Sequence, residues 1–117
     1  MGNPVDDKIE TIEAGYEYLL AYAAQGKDTD VSGSGPSEVR TTLENMAEAA
    51  AGLAAILEHG DHAFHPVVVD DARKSHAAIS LVLAQPGISS EIVDNLNASI
   101  HLRALLTDLF LLSEAKA

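Results

Sequence analysis

The stretch SSEIVDNLNASIHLRALLTDLFLLSEA, Ser89 to Ala115, decides the fold, because it is the densest apolar sequence in the chain. Pro86 and Gly87 interrupt the chain before it, Ser89 is a good N-cap, and Glu91 suits the positive end of a helix dipole. Ile88 and Val93 have the spacing of a hydrophobic staple around that cap. With about 100° between successive helical residues, Ile92, Val93, Leu96, Ile100, Leu106, Phe110 and Leu111 share one broad arc, and Asp94, Asn97, His101 and Asp108 lie opposite. A second stripe, Leu102, Leu105, Leu109 and Leu112, runs beside the first. One small bundle cannot bury both. Four leucines left in water would forgo about 1.5 to 3 kcal/mol each, so the pattern predicts a second cover, most simply another copy of the chain, with these four leucines as the interface.

The segment before it repeats the logic. Pro66 fits the first turn of a helix running to about Gln85, with Val68, Ala72, Ile79, Val82 and Leu83 on its inner face and His76 on the flank. Further back, Pro36 and Glu38 open a helix whose Val39, Leu43, Met46, Ala50, Leu53 and Leu57 recur at spacings of three and four, ending with His59 in the last turn and Gly60 beyond. Asn3 and Pro4 open the first helix, whose seam is Val5, Ile9, Ile12, Tyr16, Leu19 and Ala23, with Gly26 placed to end it. A strip of Thr11, Gly15, Tyr18 and Tyr22 beside that seam reads as a close helix crossing or a contact surface, since a mid-helix glycine costs about 1 kcal/mol relative to alanine. The spacing therefore predicts an all-α, single-domain (1–117) up-and-down four-helix bundle, with helices at about 4–25, 36–59, 66–85 and 90–115 and a flexible polar loop over 27–35.

The chain of 117 residues is long enough to bury a core without metal or disulfide support, and it has no cysteine, which excludes disulfides, thiol catalysis and cysteine-ligated metal centres. Eighteen acidic residues against seven basic ones give a formal charge of −11. That charge repels phosphate backbones and anionic headgroups, so neither nucleic acid nor a membrane is an expected partner. The N-terminal Met-Gly-Asn-Pro-Val-Asp-Asp has no signal-peptide character, and the expected location is the cytoplasm.

Three places could carry chemistry. Glu58, His59, Asp61, His62 and His65 crowd one turn, and imidazole with carboxylate is a ligand set for zinc, manganese, iron or nickel, drawn from His59, Asp61, His62 and His65. The plain reading is a solvated turn, because neither His-Glu-x-x-His nor Glu-x-x-His occurs in the chain. Arg103 sits among the apolar positions of the last helix, where a guanidinium must be ion-paired or reach solvent. Alternatively it forms an anion pocket with Ser99 and His76. Phosphotransfer through an exposed helical histidine is disfavoured, since His101 is followed by Leu-Arg-Ala-Leu and His76 by Ala-Ala-Ile-Ser.

No catalytic pattern stands out, and no cofactor is expected beyond a transition metal at the turn. The reading is a small acidic protein with no specific enzyme signature that acts by association as a homodimeric accessory or regulatory protein for another polypeptide. Its surfaces are the leucine stripe together with Tyr18 and Tyr22. The alternative is a bundle that binds a small ligand or metal at residues 58–65 or near Arg103.

Overall fold

A computed structural model describes residues 3–32 and 37–115, and in it the chain forms five α-helices: α1 (Pro4–Ala23), α2 (Glu38–Leu57), α3 (His65–Leu83), α4 (Ser90–Ala98) and α5 (Ile100–Glu114). No strand occurs among the described residues. The start expected at Pro36 and positions 33–35 of the loop lie outside them. The caps follow local chemistry. Asn3 Oδ1 accepts from the Asp6 N–H at 2.8 Å, Ser37 Oγ from Arg40 N–H at 3.1 Å, and Ser89 Oγ from Ile92 N–H at 3.1 Å. Gly26 adopts φ 66° just past α1, in the left-handed region that favours glycine.

The single helix expected over 90–115 is two helices, and this is the main correction to the sequence reading. At Ser99 the backbone leaves helical geometry, with φ −61° and ψ 143°. Its N–H closes α4 on the Leu96 carbonyl at 3.1 Å, while its hydroxyl caps α5 by accepting from Leu102 N–H at 3.3 Å. One serine thus ends one helix and starts the next. The break changes the phase of the buried face: α4 buries Val93, Leu96 and Asn97, and α5 buries Leu102, Leu105, Leu106, Asp108 and Leu109. The first apolar stripe is therefore split: Val93 and Leu96 are buried on α4, whereas α5 buries Leu102, Leu105 and Leu109 with Leu106 and turns Ile100, Phe110 and Leu111 outward.

Packing follows from that rotation. α2 lies against both α1 and α3, α4 packs chiefly on α1, and α5 packs chiefly on α3. A hydrogen bond from the fully buried Ser75 hydroxyl to the His101 carbonyl, 2.9 Å, ties the first turn of α5 to the middle of α3. Gly15 is buried where α1 crosses α2, and a Cβ there would meet Met46 Cγ at 2.5 Å, so this glycine belongs to a close helix crossing.

The polar segment after α1 is tied at its described end. Lys27 and Ser90 exchange hydrogen bonds, Lys27 N–H to Ser90 Oγ at 2.9 Å and Ser90 N–H to the Lys27 carbonyl at 2.8 Å. Asp30 accepts from the Ser37 hydroxyl at 2.6 Å, from Ile88 N–H at 2.7 Å and from Arg40 Nε at 3.4 Å. The same guanidinium donates to the carbonyls of Leu83 and Gln85, at 2.8 and 3.1 Å. Burial works to raise the Asp30 pKa, but the Ser37 hydroxyl, the backbone N–H donors and the Arg40 charge outweigh it and hold the carboxyl below its usual range.

Candidate functional site

The turn between α2 and α3 organises its imidazoles through the backbone. His62 Nδ1 accepts from Phe64 N–H at 3.0 Å, and His65 Nδ1 accepts from His62 N–H at 3.4 Å. A ring nitrogen that accepts carries no proton, so the proton of each neutral ring sits on Nε2. The two rings stand 5.8 Å apart. His59 turns away to Glu58, 3.4 Å, and Glu58 also pairs with Arg73 at 2.5 Å. The four expected ligands His59, Asp61, His62 and His65 are not brought together: among the described residues no group of three or more histidine, aspartate or glutamate side chains is placed to hold a metal ion. The physical reason is local, since both Nδ1 atoms are engaged by backbone donors and His59 is drawn to a carboxylate.

What the turn does build is a groove. Asp61, His62, Phe64 and His65 face Leu111, Leu112 and Ala115 from the end of α5 across an open space of about 760 Å³, within the range of small-molecule sites. Its walls are mostly apolar, and Phe64 and Leu112 pack against the core from this side.

The residues expected at an interface are distributed differently. Leu102, Leu105 and Leu109 are 0% exposed within the chain's own core, so the stripe expected to need a partner is covered by α5's own neighbours; Leu112 is half-buried in the groove. Tyr22 is buried too, donating to the Ile88 carbonyl at 2.6 Å, with Tyr18 stacked on it at 6.4 Å. Arg103, expected in the apolar arc, is exposed and makes no ion pair among the described residues. His76 lies apart in a shallow depression beside Glu58 and Arg73, and Ser99 serves as the α5 cap, so the three do not form a pocket.

In exchange, the outward face of α5 exposes Ile100 (74%), Phe110 (56%) and Leu111 (55%), three residues the sequence places in the core arc. They share that face with Arg103, Ala104 and Thr107, and Leu111 continues it into the groove.

Two buried polar groups on α4 and α5 escaped the sequence reading, which set both on a solvated side. Asn97 is buried with neither side-chain polar atom partnered. Asp108 is 6% exposed, and its pKa is pushed up to about 7, first by burial and then by the hydrogen bond and charge of Asp71 on α3. The signal that could have located them is the run Asn95, Asn97, Ser99: weak helix formers and a capping residue inside one supposed helix.

Comparison with protein families, curated proteins and solved structures finds no match to this chain.

Proposed function

We propose that the protein is a non-enzymatic association module, cytoplasmic and single-domain, whose five helices form an up-and-down bundle with a broken fourth member. It serves as an accessory or regulatory partner to another polypeptide and to its own copies. The observation that carries this reading is the exposed apolar face of α5, where Ile100, Phe110 and Leu111 stand in water while Leu102, Leu105 and Leu109 are covered by the chain's own core. Such side chains recover about 1.5 to 3 kcal/mol each on full burial, whereas α1, α2 and α4 expose carboxylates that suit solubility. Replacing Phe110 and Leu111 together with glutamate is expected to leave the helical circular dichroism intact while abolishing association measured by light scattering. Persistence of association in that variant would place the contact elsewhere.

A second reading has its own observation in the groove. Imidazoles from His62 and His65 beside Phe64, Leu111 and Leu112 suit a small apolar ligand. An environment-sensitive naphthalene dye should then bind at one equivalent and lose its site in Phe64→Ala. Unsaturable, weak uptake unaffected by that change would count against it.

A further inference from the structure

We infer that the groove between the α2–α3 turn and the end of α5 binds an uncharged apolar molecule with a carbonyl group, whose oxygen accepts from the imidazole N–H donors of His62 and His65. This inference rests on the small-ligand reading of the groove and names the chemical class of that ligand.

The donors are fixed by the turn itself. Phe64 N–H donates to His62 Nδ1 at 3.0 Å and His62 N–H to His65 Nδ1 at 3.4 Å, so each neutral ring carries its proton on Nε2. Neither Nε2 meets a hydrogen-bond or ion-pair partner among the described residues. Gly60 makes room for the second ring by having no side chain, since a Cβ there would overlap His65 Nδ1. Both rings line the groove, with centroids 5.8 Å apart. At that spacing an oxygen placed about 2.9 Å from one Nε2 stays within reach of the other.

The class of ligand follows from what those donors require. Phe64, Leu111 and Leu112 supply apolar walls to a space of about 760 Å³. A hydrocarbon seated on them would take water from two N–H groups and return nothing, and a site whose donors are left unpaired discriminates against such a ligand. An ammonium brings only further donors to the imidazoles. A carboxylate brings acceptors, but its charge meets the exposed Asp61 at the same groove, on a chain of formal charge −11. A carbonyl oxygen has two lone pairs, no proton of its own and no net charge, and one such oxygen can satisfy both imidazoles.

Four naphthalenes that differ in their head group separate these cases: methyl naphthyl ketone, isopropenylnaphthalene with a methylene in place of the oxygen, naphthoate, and naphthylethylammonium. Ligand-observed NMR titration of the full chain at about pH 8, where imidazole is ordinarily neutral, is expected to show the ketone binding at one site at least tenfold tighter than each of the other three. In the His62→Asn/His65→Asn double variant the amide oxygen replaces Nδ1 as the acceptor for the backbone and nothing replaces Nε2. There the ketone should fall to within about twofold of the hydrocarbon, with the helical circular dichroism unchanged. Equal binding of ketone and hydrocarbon by the unmodified protein, tighter binding of either ion, or a ketone preference that survives the double variant would overturn the carbonyl assignment while leaving a ligand groove standing. The groove reading fails separately, and this inference with it, if none of the four saturates or if Phe64→Ala leaves their binding unchanged.

Discussion

Replacing Leu105 and Leu109 together with glutamate unfolds the protein. Both side chains are 0% exposed where α5 meets the core, so the change deletes two buried leucines and introduces two charges with no partner. Large-to-small loss alone costs about 2 to 5 kcal/mol per site, and desolvating the carboxylates adds to it, exceeding the ~5 to 15 kcal/mol that holds a typical small protein together. The expected readout is loss of the cooperative thermal transition in circular dichroism. A helical, cooperatively melting monomer would instead mean that this leucine stripe faces outward, as an unbroken helix over 90–115 implies.

Asp108→Asn is expected to stabilise the protein at pH 8 and to do little at pH 4. Asp108 has its pKa raised from 3.8 to about 7 in the folded chain, so the folded state binds the proton more tightly than the unfolded one. The contribution of the protonated carboxyl is fully present below the unfolded value, declines as pH rises between the two, and is lost above pH 7. A gap of about three pKa units corresponds to roughly 4 kcal/mol at the limit. Asparagine imitates the protonated acid, can donate its N–H to Asp71, and never ionises. Urea unfolding should show the variant gaining about 2 to 4 kcal/mol over the unmodified protein at pH 8 and almost nothing at pH 4. A difference independent of pH would show that Asp108 ionises as freely in the folded protein as in the unfolded chain.

The helical architecture was legible because the signals agreed at several levels. Asn3 with Pro4, Ser89 with Glu91, and the three-and-four spacing from Val39 to Leu57 each have a local cause that the structure keeps. The phase of the last segment was not legible from periodicity, because a helical wheel presumes one continuous helix. Two adjacent stripes on one wheel have two explanations, a helix covered twice or a helix broken once. Ser99, with a backbone N–H closing one helix and a side chain capping the next, selects the second. That one break moves Ile100, Phe110 and Leu111 from expected core to surface, Leu102, Leu105 and Leu109 from expected interface to core, and Asp108 from solvent to burial.

The histidine turn shows the converse. Glu58, His59, Asp61, His62 and His65 crowd one another in sequence, but composition does not say which atoms remain free. Backbone donors occupy Nδ1 of His62 and of His65, and the groove's other wall comes from the far end of α5, a contact separated by some fifty residues and invisible to local spacing. The Asp30 hydrogen bonds were missed likewise, since Ile88 is 58 residues away and Arg40 lies across the intervening loop.

The most direct test of the central claim, that the outward apolar face of α5 joins two copies of an acidic chain, is sedimentation equilibrium of the unmodified protein across concentration in low and high salt. The account predicts a mass rising from 12.3 kDa toward twice that value, with tighter association in high salt because screening removes repulsion between the copies and leaves the apolar contact. A mass of 12.3 kDa at every concentration and salt, or a dimer that dissociates as salt is added, would contradict it.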